Sequence, residues 1–160
     1  MTPWRAALAL LCLIANSAAA QNETLRIASF NTELHRDGPG LLLRDLARDK
    51  DPQIAAVVAV IARARADVLV LQGIDWDHDW VTLKALADRL QTAGVRYPHL
   101  FTAQPNSGLA TGLDLDGDGY RGGAADSQGF GAFTGRAGLA VLSKHPIDRA
   151  AVLDFSALPW

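Results

Sequence analysis

Asp114-Leu115-Asp116-Gly117-Asp118-Gly119 places a carboxylate at every second position and ends on a glycine able to make a sharp turn. A calcium loop gathers hard oxygen ligands around one ion with this spacing, and Tyr120 follows where a backbone carbonyl is wanted. Three carboxylates this close repel one another unless a cation or solvent relieves them. The full hand-like motif is incomplete. Its twelfth position is Ala125, Asp126 stands one residue beyond, and no clear pair of helices flanks the loop. Three readings stay open: a structural calcium site drawing on Asp114, Asp116, Asp118 and Asp126, a solvated acidic turn, and a catalytic or substrate-bound ion. A second run, Asp75-Trp76-Asp77-His78-Asp79, is dense in oxygen and imidazole ligands. It offers metal ligands in Asp75 or Asp77, or a cap for the helix that follows, through Asp79.

The elements that must position these groups follow from periodicity. Leu25 to Asn31 alternates apolar with small or polar residues, which predicts a first strand ending at Asn31. Asp37-Gly38-Pro39-Gly40 is a turn, Leu41 to Arg48 has helical spacing, and Asp51-Pro52 reads as a cap and first-turn proline of a second helix running to about Arg65. Ala66 to Gly73 has an unbroken apolar centre, which predicts a strand covered on both faces. A third helix is expected from Trp80 to Ala93, its stripe of Leu83, Leu86, Ala87 and Leu90 facing the core. Pro98 to Thr102 and Gly138 to Ser143 read as strands. The stretch 105–136 between them is glycine-rich and far longer than an ordinary loop, so it is functional or held together by something. The order predicts an α/β sandwich.

At the N-terminus, Arg5, the apolar run Ala6 to Ala15 and the small residues Ala18-Ala19-Ala20 have the order of a cleavable signal peptide, residues 1–20, with cleavage after Ala20. The run is too short to span a bilayer, and no long apolar run recurs, so no membrane span is expected in residues 21–160. The expected location is periplasmic or secreted. Cys12, the only cysteine, leaves with the leader, so no disulfide is expected afterwards. The formal net charge is -2 and becomes -3 when Arg5 departs, which does not draw a polyanion over long range.

Three segments, Leu25-Arg26-Ile27-Ala28-Ser29-Phe30-Asn31-Thr32, Ala66-Asp67-Val68-Leu69-Val70-Leu71-Gln72 and Gly138-Leu139-Ala140-Val141-Leu142-Ser143-Lys144-His145-Pro146-Ile147, together resemble the endonuclease/exonuclease/phosphatase family. Gly112 to Gly119 with Asp126 to Gly131 further resembles a secreted or periplasmic bacterial branch. The resemblance covers residues 21–160 and corresponds to the N-terminal half of a family domain, so the domain is expected to be truncated at Trp160. It implies a four-layer α/β sandwich of mixed or antiparallel sheets covered by helices. It also implies Mg2+ or another divalent cation, and hydrolysis of phosphoesters by in-line attack of water. Asn31 falls on the family asparagine that orients metal and phosphate. A departure lies at Gly73, where the resemblance implies a metal-binding glutamate after Gln72; Asp75 or Asp77 is the candidate substitute. The catalytic histidines implied by the family would lie beyond residue 160, and His145 does not correspond to either. The expectation is a hydrolase-like domain with little or no turnover in this segment, which lacks an identifiable general base. Its substrate is unspecified, with nucleic acid uncertain, and its oligomeric state is open. The alternatives are a non-catalytic calcium-stabilised binding module, with Trp76 and Trp80 as contact surface, and a truncated product without independent role.

Overall fold

The computed structural model describes residues 24–155, so the leader expected at residues 1–20 lies outside the described residues. Four strands, β1 (Ile27–Asn31), β2 (Val68–Ile74), β3 (His99–Phe101) and β4 (Gly138–Ser143), form one sheet in the order β1-β2-β4-β3. β1 runs parallel to β2, and β4 runs antiparallel to both of its neighbours. The parallel pair requires a crossover, which α1 (Leu41–Arg48) and α2 (Pro52–Ala64) supply. α3 (Val81–Thr92) then connects β2 to β3. The protein is therefore an α/β fold with a mixed sheet and flanking helices.

Each helix starts where local chemistry favours it. Asp51 accepts the Gln53 and Ile54 amides at 2.8 and 3.1 Å, and Pro52 fits the first turn, where its missing N–H costs nothing. Asp77 accepts the Val81 and Thr82 amides at 2.7 and 2.8 Å. The expected cap was Asp79; the correction follows from Trp80, whose left-handed φ of 59° at the helix start reverses the chain and brings Asp77 over the free amides.

Leu42, Leu46, Ile54, Val57, Ile61, Leu83, Leu86 and Leu90 pack on Leu69, Leu71, Ala140 and Leu142 to form the core. Within β2 buried residues alternate with half-buried ones, so the strand is covered on one face, not on two as its apolar run suggested. The other face carries Ile27 and Leu139, 66% and 59% exposed, beside half-buried Val70 and Val141. A hollow of about 280 Å³ opens there between Val70, Phe101, Pro105 and Leu139. An uninterrupted apolar run is compatible with either arrangement, because branched residues also serve the half-covered face of a mixed sheet.

The long glycine-rich stretch is folded onto itself. Gly108 N–H donates to Gly129 O at 2.8 Å, Gln128 N–H to Leu109 O at 2.8 Å, and Gly135 N–H to Ser107 O at 3.1 Å. Gly108 is required, since a Cβ there would collide with the Phe133 carbonyl, and its φ of 69° disfavours any side chain. Trp76 N–H donates to Gly135 O at 2.7 Å, fastening this excursion to the end of β2. Neither tryptophan offers the exposed contact surface expected of it. Trp76 is half-buried with its Nε1 closed off from solvent, and Trp80 packs against the core, edge-on to Phe101, with Arg149 stacked 4.8 Å from its ring centre.

Candidate functional site

β1 and β2 end side by side at Asn31 and Gln72, and their carboxyl ends are where an open α/β sheet offers a crevice to ligands. Beyond Gln72 the ladder skips a residue. Gly73, with φ of 72°, bulges out, and pairing with β4 resumes at Ile74. The space beside Gly73 is taken: a Cβ placed there would lie 2.7 Å from Asn31 Oδ1 and 2.9 Å from Glu33 N. The chain after β1 thus closes onto β2 through the gap that glycine leaves. Thr32 reinforces this, its N–H and its hydroxyl both donating to Gln72 O at 2.9 Å.

Asn31 is exposed at this edge, and its Oδ1 receives only a long bond, 3.4 Å, from Glu33 N. Glu33 is also exposed, with a left-handed φ of 50°. Its peptide is held from the side. Gln53 Nε2 donates to Glu33 O at 2.9 Å and to Thr32 O at 3.4 Å, while Arg36 Nη1 donates to Gln53 Oε1 at 3.2 Å. Arg36 in turn forms ion pairs with Asp45 of α1 and with Asp51 at the start of α2, at 3.1 and 2.7 Å. Sequence reasoning missed Glu33, because a lone surface glutamate carries no pattern; the signal available was its place two residues after Asn31.

Asp75 is 6% exposed, and each of its oxygens accepts an amide, Oδ2 from Arg36 at 2.9 Å and Oδ1 from Ala137 at 3.1 Å. It staples the chain after β1 and the approach to β4 onto the end of β2. Burial pushes its carboxyl above the ordinary range, opposed by the Ala137 and Arg36 amides and by the charges of His35 and Arg136. Burial also opposes ionisation of Asp77, but the bonds from Thr82 and Val81 outweigh it and hold that carboxyl below the ordinary range. Both groups that were candidates to replace a ligand at Gly73 thus have backbone partners, one as staple and one as cap.

Asp114, Asp116 and Asp118 do converge. One carboxylate oxygen from each lies within 4.8 Å of the others, the single such group of three metal-ligating side chains among the described residues. The loop's own amides orient them: Gly117 and Gly119 donate to Asp114 at 2.7 and 3.0 Å, Asp118 N–H to Asp116 at 3.2 Å and Tyr120 N–H to Asp118 at 2.7 Å. An oxygen that accepts one amide keeps a second lone pair for an ion, so this donor set fits a divalent cation. Asp126 stands apart from the group. It is 2% exposed, with Oδ1 accepting Leu115 N–H at 2.8 Å and Oδ2 accepting Gly123 N–H at 2.9 Å, so it closes the base of the loop from inside.

The family model for the Endonuclease/Exonuclease/phosphatase family matches residues 28–160, most of the chain. The chain belongs to the endonuclease/exonuclease/phosphatase family. Comparisons with curated proteins and with solved structures gave no match. Within this family member, a hollow of about 700 Å³ between Leu25, Asp67, Val141 and His145 lies at the opposite end of the sheet from Asn31. Asp67 there is tied to Lys144 at 2.9 Å and to the Arg26 amide at 2.8 Å, so the carboxylate lining it is already paired. The hollow's size does not identify the site; the placement of Asn31 at the carboxyl end of the parallel pair is the better guide.

Proposed function

We propose that this is a metal-dependent phosphoester hydrolase-like domain that binds a phosphoester with a divalent ion at the carboxyl ends of β1 and β2 and turns it over slowly. Membership in the endonuclease/exonuclease/phosphatase family carries this reading, and the exposed amide of Asn31 at the strand end supports it. Such an ion, Mg2+ or another divalent cation, supplies Lewis-acid polarisation of a phosphoryl oxygen. Asn31 would hold the ion through its amide oxygen and orient the phosphoester through its N–H groups; apart from the long Glu33 contact neither has a hydrogen-bond partner among the described residues. Calorimetric titration with bis-p-nitrophenyl phosphate, with and without Mg2+, tests it. The expected result is binding only with metal, weakened about tenfold or more by Asn31→Ala, as for a hydrogen bond to a charged group. Binding indifferent to metal and to Asn31 would contradict the reading, and fast hydrolysis lost in Asn31→Ala would overturn the slow turnover.

For the acidic loop, the proposed ion is structural calcium, supported by the converging oxygens of Asp114, Asp116 and Asp118. Calcium at a hundredfold excess over its dissociation constant is then expected to stabilise the fold by about 2.7 kcal/mol, read as a rise in thermal midpoint that Asp116→Asn with Asp118→Asn removes. An unchanged midpoint and no heat of binding would show a solvated turn. A second reading, a calcium-stabilised binding module without turnover, is favoured by Gly73, which has no side chain to ligate and no room for one; metal-dependent binding with no detectable hydrolysis at any enzyme concentration is its signature. The leader pattern of residues 1–20 supports export to the periplasm or beyond, which N-terminal sequencing of protein recovered outside the cytoplasm tests by a start at Gln21.

A further inference from the structure

We propose that Gln53 is a positioning residue for the phosphoester site: from the first turn of α2 it fixes the peptide between Thr32 and Glu33, and through that peptide the orientation of the Asn31 amide. The inference goes beyond the proposed function and rests on it for the location of the phosphoester. The contacts form one unbroken path. Gln53 Nε2 donates to Thr32 O at 3.4 Å and to Glu33 O at 2.9 Å, so a single side-chain amide spans two consecutive peptides. The first of these peptides carries on its other side the Glu33 N–H, which points at Asn31 Oδ1 across 3.4 Å. Because a peptide is planar, a grip on the Thr32 carbonyl also aims the Glu33 N–H. A bond that long holds little by itself; what keeps its donor in place is the grip on the carbonyls beside it. Thr32 is pinned to Gln72 O through its own N–H and hydroxyl, at 2.9 Å each, which fixes the chain up to this peptide and leaves the peptide's rotation to be set by Gln53.

Gln53 is in turn held at both ends. Its backbone N–H donates to the Asp51 cap at 2.8 Å, and its Oε1 accepts from Arg36 Nη1 at 3.2 Å. Arg36 is clamped between Asp45 of α1 and the same Asp51. The Gln53 amide then has one way round, with its oxygen toward the guanidinium and its nitrogen toward the two carbonyls. The fold does not depend on this side chain. Gln53 is exposed, lies outside the core, and α2 is capped by Asp51 through backbone amides. An exposed glutamine that commits both ends of its amide to the turn after Asn31 serves local geometry, not packing.

The full chain is to be compared with Gln53→Ala and Gln53→Glu. Both remove the donor to Thr32 and Glu33, while the second keeps an acceptor for Arg36 and adds a negative charge to the first turn of a helix, where it is favourable. Thermal midpoints are expected to stay level in Gln53→Ala, where better helix propensity offsets the lost bonds, and level or higher in Gln53→Glu. In both variants the Asn31 side-chain amide and the Glu33 backbone amide should nevertheless move together in the spectrum of the free protein. With bis-p-nitrophenyl phosphate and Mg2+, Gln53→Ala should weaken binding by about threefold to tenfold. The same substitution should change nothing further in an Asn31→Ala background, because the two residues act as one unit. An Asn31 side-chain amide unmoved in both variants overturns the assignment, as does an affinity loss of equal size with Asn31 present and absent, or one that only tracks a falling midpoint. The two readings fail separately. An unaltered protein that binds no phosphoester sinks the proposed function, and the coupling of Gln53 to Asn31 is still decided by the amide spectrum; metal-dependent binding that needs Asn31 and ignores Gln53→Ala sinks this inference alone.

Discussion

Replacing Gly73 by glutamate is expected to destabilise the protein by about 3 kcal/mol and to add no metal affinity. The obstacle is the first carbon of the side chain. A Cβ at this position meets Asn31 Oδ1 at 2.7 Å and the backbone of Glu33 at 2.9 and 3.1 Å, and the φ of 72° is one that side chains rarely adopt. Backbone atoms cannot swing aside as the end of a flexible side chain can. Gly73→Ala should therefore cost nearly as much as Gly73→Glu, a pairing that distinguishes a closed backbone from a merely missing ligand. Urea unfolding of the two variants measures the loss directly. If Gly73→Glu keeps the original midpoint and binds divalent metal more tightly, the chain after β1 yields easily, and the absent glutamate is a simple deletion of function.

Asp75→Ala carries the second large effect, a loss of about 2 to 4 kcal/mol. Removing the carboxylate leaves the Arg36 and Ala137 amides without their acceptor in a buried setting, and each unsatisfied donor costs about 1 to 3 kcal/mol. Asp75→Asn keeps one acceptor and should lose less. The pH dependence separates charge from hydrogen bonding. Because burial raises the folded-state pKa of Asp75 above its unfolded value, the folded protein holds this proton more tightly than the unfolded chain. Its contribution to stability is then full below the unfolded pKa and is lost as pH rises through the folded one. The unaltered protein should lose ground to Asp75→Asn over that window, since asparagine does not ionise. A difference that is constant with pH would mean that the carboxylate is not desolvated in solution.

Much of this arrangement was legible in the residues. Gly138 to Ser143 emerged as β4 with its expected bounds, and Asp51-Pro52 marked the start of α2, because a cap and a first-turn proline act within a few residues of each other. The acidic loop was legible for the same reason, its three aspartates and two glycines being local. What escaped depends on backbone conformation or on distant partners. The left-handed turn at Trp80 moved the cap from Asp79 to Asp77. Asp126 looked like a fourth ligand by spacing, yet amides at Leu115 and Gly123 draw it inside the loop. The single covered face of β2 reflects which elements pack on it, and its own composition suits both cases. Glu33 gains meaning only when β1 and β2 are placed side by side and the empty Cβ position of Gly73 is seen to be filled from the neighbouring chain.

The most direct test of the central claim is to follow the amide spectrum while p-nitrophenyl phosphate is added, with Mg2+ present and then absent. Binding at the carboxyl ends of β1 and β2 predicts shifts centred on Asn31, Glu33 and Gly73, seen with metal and lost without it. Shifts at the Asp67 and His145 end of the sheet, or none in either condition, would contradict a phosphoester site at Asn31.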